Sequence, residues 1–382
     1  MSVPFWLVEK PEPVAVRPLR GTPDVVVVGG GITGCSCALT LARAGVRVRL
    51  YEARALAEGA SGRNGGFALR GGAMAYDQAR TWFGADRAAR YWRLTESYLE
   101  RMREVGGAAI SATGSLRLAA DVEERDELWL EYEALREDGF EAEWRDALAP
   151  PLAGRFPGAI FHPVDAALHP ARFVRLLAAA AAGAGAEIRE HHRVARLDEL
   201  AAERVVVATD GYPSGLLGQL EGLIIPVRGQ MLATEPLPES LFRCPHYGRH
   251  GFDYWQQIPD GRVLAGGFRD WSLDSEFTTE EETTPTIQGA LEAFVADLTG
   301  RPPRITHRWA GIFGLVLDFL PVVGPLPGSD RVWVAGGYSG HGNVLGFACG
   351  DLVARALLGD RHPLLDLFEP GRLLAAPAGA DA

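Results

Sequence analysis

The sequence predicts an α/β fold of mixed α+β type, with a parallel sheet built from separated segments and an antiparallel-sheet domain inserted between them. Three observations predict it. A glycine-bearing strand–helix–strand unit spans residues 24–52, strand-like apolar runs recur at 204–211 and 331–337, and the segments between have a different texture. Each element can be justified in order. The run "DVVVV" (24–28) suits a strand buried on both faces. "ITGCSCALTLARAG" has apolar residues at helical spacing and stops at Gly45, and "VRVRLYE" alternates as the second strand of a β-α-β unit. The Ala-rich helix "PARFVRLLAAAAAGAG", with Pro170 in its first turn, leads into "RVVVATDG". "RVWVAGG" passes through a glycine-rich turn into "VLGFACGDLVARALLG", a helix expected to start near Asn343.

Residues 81–145 carry charge with Trp, Tyr and Leu at helical spacing, whereas 223–314 hold short strands: "IIPVRGQMLATE", "FDYWQQIP", "RVLAGGF" and "ITHRWAGIFG". The acidic "DSEFTTEEETTP" reads as a solvated loop before the helix "TPTIQGALEAFVADLTG". The expected division places 1–80, 151–222 and 315–382 in one domain. The second takes 81–150 as its helical part and 223–314 as its sheet part. The N-terminal "MSVPFWLVEKPEPVAVRP" reads as an extended arm whose Phe5, Trp6 and Leu7 pack on the body, and it lacks the features of a signal peptide.

With 382 residues, 47% of them hydrophobic, the chain can bury a large core. A formal net charge of −11 argues against nucleic acid, which needs a basic field. No apolar run reaches the roughly 20 residues of a bilayer span, so no membrane partner is expected. Cys35 and Cys37 lie two apart in a predicted helix and do not face each other; with Cys244 and Cys349 they suggest neither a disulfide framework nor a metal site. A cytoplasmic location is expected. His162, His169, His191 and His192 have no metal-ligand spacing and are expected at the surface or in loops.

Gly29, Gly31 and Gly34 fit G-x-G-x-x-G between strand and helix, where a tight turn and the helix N-terminus hold a pyrophosphate. Glu52 ends the next strand, where an acid accepts ribose hydroxyls and disfavours a 2′-phosphate. The pattern therefore points to a Rossmann-like site for NAD or FAD. The glycine-dense loop "EGASGRNGGFALRGG" (58–72), with Ser61, Arg63 and Asn64, must pass close to a ligand with a large flat ring, which favours FAD; Phe67 and Leu69 are its expected anchors. A third element, "VAGGYSGHGNVLGFACG" (334–350), brings His341 and a helix N-terminus toward developing negative charge.

"VVVVGGGITG", "YEA", "GASGRNGGF", "VVVATDGY", "PVRGQM", "DGRVLAGGFRD", "HRWAGIFG" and "GYSGHGNVLG" stand in the order found in one family. The chain resembles FAD-dependent oxidoreductases of the D-amino-acid oxidase, glycine oxidase and sarcosine oxidase type, closest to the γ-glutamylputrescine oxidase-like branch. The resemblance implies that Gly29, Gly31 and Gly34 hold the FAD pyrophosphate and Glu52 the adenosine ribose. It implies further that Ser61, Arg63, Asn64, Gly65 and Gly66 run beside the pyrophosphate and isoalloxazine, and that Val194 meets the adenine through its backbone. Gly340, His341, Gly342 and Asn343 would sit at the flavin pyrimidine end, with Gly311 also at the cofactor.

His341, Tyr254 and Trp309 are the candidate catalytic residues; Phe252, Tyr254 and Gln256 share one strand face, and Arg228 reads as a surface salt bridge. Relatives of sarcosine oxidase type carry a substrate-gripping Arg near Phe67 and a Lys near Asn343, so a small amino acid held by its carboxylate is not expected here. "HRWAGIFG" lacks a flavin-linking cysteine, so FAD should be non-covalent. Only one dinucleotide fingerprint is visible, so the electrons should come from a small-molecule amine. Hydride passes to flavin N5, the imine hydrolyses, and O2 becomes H2O2. Rival readings are an amine dehydrogenase using a quinone or protein acceptor, a flavin hydroxylase of related fold, and a non-catalytic flavin-binding subunit.

Overall fold

The computed structural model describes residues 3–14, 17–212 and 215–374. The chain forms two compact units. The first comprises Pro11–Gly62, Ala171–Val227 and Phe313–Ala382; the second comprises Met1–Lys10, Arg63–Pro170 and Arg228–Ile312.

The first unit holds a six-stranded sheet in the order Val322–Pro325, Val332–Gly336, Arg204–Val207, Val25–Val28, Val48–Tyr51, Glu187–Arg189. Val27 pairs in parallel with Val206 on one side and Leu50 on the other, as its unbroken β-branched run demands. Val322–Pro325 adds an antiparallel edge. Glu187–Arg189 is too short and too charged to show in the hydrophobic pattern. The helices Ile32–Arg43 and Gly342–Leu357 pack closely because glycine spares room. A Cβ on Gly346 would lie 2.8 Å from Thr33 Oγ1, and one on Gly350 would lie 2.2 Å from the Thr33 carbonyl. Partners advance along both helices in the same direction: Thr33 meets Gly346, Ser36 Oγ donates to the Phe347 carbonyl at 2.7 Å, and Thr40 Oγ1 donates to the Asp351 carboxylate. The two helices therefore run parallel and begin at the same end.

The second unit is built on an eight-stranded sheet in the order Ile305–Leu315, Ile225–Thr234, Val263–Gly267, Asp253–Gln257, His246–Gly248, Ser115–Leu118, Ala159–His162, Glu143–Arg145. One face packs on the helix Pro285–Thr299 through Leu232, Trp255, Val263, Ile287, Leu291 and Val295. A three-stranded sheet joins Phe67–Ala68, Ala166–Leu168 and Ile110–Ser111. The helices Tyr76–Phe83, Ala85–Gly106 and Val122–Glu137 complete the unit. The last of these starts at Asp121, whose carboxylate accepts the Glu124 N–H at 2.9 Å.

The unit boundaries differ from the expected ones. Residues 63–80 and 151–170 belong to the second unit because their pairing partners lie there: Phe67 sits opposite Ala167, and Ser115 opposite His162. Tyr76 also packs on Trp92 and Phe140. The N-terminal arm is not simply extended, since Phe5–Leu7 forms a 3-10 turn that buries Trp6 against His169. Among the described residues no helix is long and apolar enough to cross a membrane.

Candidate active site

In the first unit, Gly29 has φ +114°, and a Cβ on it would lie 2.4 Å from the Ala208 carbonyl oxygen. Gly34 lies closer still, its Cβ position 1.9 Å from the Gly29 carbonyl oxygen. The turn can only close with glycine at both places. Gly31 is the extended residue before the helix, and Ser61 Oγ accepts the Ile32 N–H at 3.0 Å. The Glu52 carboxylate accepts the N–H of Gly30 and of Arg54, each at 2.7 Å. A carboxylate offers about four acceptor positions, so capacity for two hydroxyls remains. A side-chain-free turn, a helix N-terminus and an acid with spare acceptors together fit a pyrophosphate and a ribose. Val194 lies in the loop after Glu187–Arg189, half-buried on the apolar cluster of this unit.

The second helix start lies beside the first, since Tyr338 OH hydrogen-bonds Thr33 Oγ1 at 2.9 Å. The turn before it places Ser339 and Gly340 at φ +50° and +90°, and His341 is the helix N-cap. The helix begins at Gly342, with Asn343 in its first turn. Two parallel helix N-termini at one end concentrate partial positive charge there. Asp210 holds this turn in place and was missed in the sequence. Its carboxylate accepts the Gly337 N–H at 2.8 Å and the Gly314 N–H at 3.0 Å. Burial raises its pKa above the ordinary carboxylate value. The "ATDG" run reads in sequence as an ordinary turn; the positive φ of Asp210, +48°, and its two backbone bonds mark it as a clamp only in the structure.

In the second unit, residues 63–70 are pinned from several directions. The Trp309 indole N–H donates to the Arg63 carbonyl at 2.8 Å, while Arg63 Nη1 donates to the Ala310 carbonyl at 3.0 Å. Gly311 makes room for this side chain, since a Cβ there would meet Arg63 Cβ at 2.8 Å. Arg63 also pairs with Glu281 at 3.1 Å. The Asn64 carboxamide oxygen accepts the Gly66 N–H at 2.8 Å, and the Trp6 indole donates to the Asn64 carbonyl at 2.8 Å. Tyr254 covers Gly65, its ring 3.1 Å from where a Cβ would stand, and Gln256 donates to the Gly66 carbonyl at 3.2 Å.

Several sequence expectations are corrected here. Ala68 and Arg70 are the buried anchors of the loop, and the partly buried Phe67 adds to them by pairing with Ala167 and meeting Tyr254 edge-on at 6.0 Å. Arg70 is buried; it bonds Glu96 at 2.7 Å, the Glu141 carbonyl at 3.0 Å and His162 Nδ1 at 3.2 Å. His162 is therefore an interior strand residue, whose pKa burial and the Arg70 charge push down. Arg228 is no surface pair: with Glu276, at 2.8 Å, it lies 4% and 0% exposed. The acidic loop is thus partly internal, since Glu276 anchors it and Glu281 reaches Arg63. Phe252 leaves the strand face of Tyr254 and Gln256, its backbone being helical and the strand beginning at Asp253. Trp309 is 0% exposed, which makes it a positioning residue for the loop rather than one that meets a substrate. The four cysteines are free and buried. The described residues contain no cluster of three metal-ligating side chains.

Residues 24–356 match the family model described as "DAO: FAD dependent oxidoreductase". Gamma-glutamylputrescine oxidoreductase of Escherichia coli K12 is 30% identical over 371 aligned residues, covering 89% of this chain and 84% of its own. Glycine oxidase of Bacillus licheniformis is 27% identical over 371, covering 90% and 95%. The solved structure of glycine oxidase from Geobacillus kaustophilus superimposes with a TM-score of 0.74 at 24% identity, over 92% of this chain and 98% of that one. By the extent of the family match, this chain belongs to the DAO family of FAD dependent oxidoreductases.

Proposed function

We propose that the enzyme oxidises a C–N bond of an amine or amino-acid-like substrate, with non-covalent FAD as the first electron acceptor and O2 as the second. One observation carries the cofactor assignment: a glycine-closed turn, an acid with acceptors to spare and two paired helix N-termini occupy one end of a single sheet. The similarity to gamma-glutamylputrescine oxidoreductase and glycine oxidase supports the substrate class.

When bound, FAD would supply hydride acceptance from the carbon of the C–N bond, the imine product being hydrolysed by water, and two-electron reduction of O2 to hydrogen peroxide would regenerate it. The protein's own share is positional. The N–H groups opening Ile32–Arg43 and Gly342–Leu357 hold anionic charge, and Glu52 orients the ribose. By the family resemblance, residues 63–66, fixed by Trp309, Asn64 and Gln256, would offer backbone to the flavin ring. In this reading Val194 meets the adenine, Gly311 keeps Arg63 in place, and Gly340 to Asn343 border the pyrimidine end of the flavin. Tyr254 and His341 are the side chains assigned to the substrate. Four buried thiols, none in a disulfide, fit a reducing cytoplasm.

Purified protein should absorb near ~450 nm and release FAD on heat denaturation. Anaerobic addition of amines should bleach that band, and admission of air should restore it with stoichiometric peroxide. Bleaching by NAD(P)H instead of amines would favour a hydroxylase. Bleaching by amines without peroxide on reoxidation would favour a dehydrogenase.

A further inference from the structure

The mechanism above fixes residues 63–66 through Trp309, Asn64 and Gln256, but a further donor reaches them from the start of the chain. Four consecutive carbonyls accept hydrogen bonds there: Arg63 from the Trp309 indole, Asn64 from the Trp6 indole, and Gly65 and Gly66 from the Gln256 carboxamide. The Gly66 carbonyl also accepts the Leu168 N–H at 2.7 Å. Peptide groups whose carbonyls are all engaged cannot turn without giving up a bond. Trp309 and Gln256 stand on strands of the eight-stranded sheet, so its register sets their places. Trp6 belongs to no strand of that sheet, and its place is set by other contacts.

Residues 3–10 make those contacts. The Leu7 and Val8 N–H groups donate to the Pro4 and Phe5 carbonyls at 2.9 and 3.2 Å, closing the 3-10 turn Phe5–Leu7. The Phe5 ring meets His307 edge-on at 5.5 Å, on the strand that carries Trp309, and the Arg262 guanidinium lies 5.8 Å from its centroid. The Trp6 ring packs on His169 at 4.9 Å, directly after the strand Ala166–Leu168 that pairs with Phe67–Ala68. His169 Nε2 lies 3.4 Å from the Glu9 carboxylate. The segment is thus fastened to two strands, one carrying Trp309 and the other pairing with the end of the loop. Trp6 is 2% exposed, and its ring fills the space that a side chain at position 66 would take. A Cβ on Gly66, at φ +76°, would lie 2.9 Å from that ring.

The family match spans residues 24–356, so this segment lies outside it. We propose that residues 3–10 are a strap that holds the loop 63–66 in its working shape, with Trp6 as the positioning residue. The inference rests on the amine-oxidising reading, in which 63–66 border the isoalloxazine. The indole N–H keeps the Asn64 peptide in one orientation, while the ring keeps Gly66 in the left-handed conformation that seats it on Leu168. None of the residues that Trp6 touches here is assigned to the substrate. It should therefore set the rate of flavin reduction and leave amine affinity alone.

The test uses the full-length FAD-loaded enzyme and three variants: W6A, W6F and V8S, the last at an exposed position of the same segment. The first readout is amide hydrogen exchange. W6A should speed exchange at residues 63–68 by about tenfold or more and W6F by about threefold, while Val263–Gly267 keeps its wild-type rate. The second is anaerobic flavin reduction by whichever amine bleaches the flavin fastest. Its limiting rate should fall about thirtyfold in W6A and about threefold in W6F, with amine affinity changed by less than about twofold. V8S should match the wild type in both. Wild-type exchange and wild-type reduction in W6A overturn the inference and leave amine oxidation standing. So does exchange that rises throughout the second unit with rate and affinity falling together, which is what lost packing alone would do. Should W6A not fold, W6F decides by the same readouts, and wild-type values in it overturn the inference. Protein that takes up no FAD, or that no amine reduces, removes the functional reading itself and the inference with it.

Discussion

Two of the chain's glycine-rich turns owe their glycines to different neighbours. At residues 29–34 the space is needed for backbone: Gly34 lies against the Gly29 carbonyl and Gly29 against the Ala208 carbonyl. At residues 65, 71 and 72 it is needed for rings, while Gly66 between them also lies against the Leu168 carbonyl. A Cβ on Gly65 would meet Tyr254 at 3.1 Å, one on Gly71 would meet Trp92 at 2.6 Å, and one on Gly72 would meet the Tyr91 hydroxyl at 2.4 Å. The first turn is specified by its own strand–helix geometry. The second is specified by side chains drawn from positions 6 to 309. Backbone cannot move aside without breaking a sheet, whereas a ring can tilt, so the two turns should respond differently to the same added methyl group.

The largest effect should come from that contrast. Gly34→Ala forces a methyl into a 1.9 Å contact with a carbonyl and should cost about 3 kcal/mol and most of the bound FAD. Gly71→Ala, at φ +82° beside the Trp92 ring, should cost about 1–2 kcal/mol with FAD retained. Urea unfolding and the flavin-to-protein absorbance ratio check both. Equal losses in the two variants would erase the distinction between the turns.

The same distinction explains what the sequence revealed. The turn at 29–34, the helix after it and Glu52 were legible because each is a local pattern: a buried valine run, glycines at fixed offsets, an acid at the next strand end. The strands at 204 and 332 were legible for the same reason. The supports of the second turn were not. Arg70, Glu276 and His162 are buried polar residues, and nothing local separates them from solvated ones. Only their distant partners do so, such as Arg228 for Glu276 across 48 positions. Trp309 resembled a substrate contact because an aromatic before a glycine suits either role. Its indole bond to Arg63 decides between them.

Acid should act on the two units unequally. His246 in the second unit is 3% exposed and stacks on Trp255 at 5.1 Å. Burial depresses its pKa to about 4. Its folded value lies below its unfolded one, so its contribution is complete above about pH 6.5 and is lost as pH falls toward 4. The loss approaches about 3 kcal/mol. His162, also shifted down, acts in the same sense. Asp165, raised to about 6 by burial, acts oppositely, its contribution being complete below about pH 4 and lost as pH rises through 6. The part due to His246 is therefore read as the difference between wild type and His246→Phe, whose stability should fall less steeply from pH 7 to pH 4. In the first unit the Asp210 carboxyl is raised and resists acid, whereas the Asp24 and Glu187 carboxyls, held down by their arginine partners, lose their contribution only as pH falls below the ordinary carboxylate range. Hydrogen exchange at pH 5 should accordingly rise first in the strands around His246 while Val25–Val28 stays protected. Uniform exchange in both units would count against this asymmetry.

The smallest effect tests whether the second turn is truly positioned by its rings. Trp309→Phe keeps an aromatic in the same fully buried place but removes the N–H that the Arg63 carbonyl accepts. Losing one partner of a largely buried hydrogen bond costs about 1–2 kcal/mol. Gln256, Asn64 and Trp6 still hold the neighbouring residues, so the fold should survive with FAD content near the wild-type level. A loop free to shift by a fraction of an ångström should nevertheless present its backbone less well, because positioning at a reacting centre is sensitive to small displacements. The expected outcome is a fall in the anaerobic flavin reduction rate of about tenfold with little change in amine binding. A change confined to amine affinity would instead make Trp309 part of the substrate surface, which its complete burial argues against.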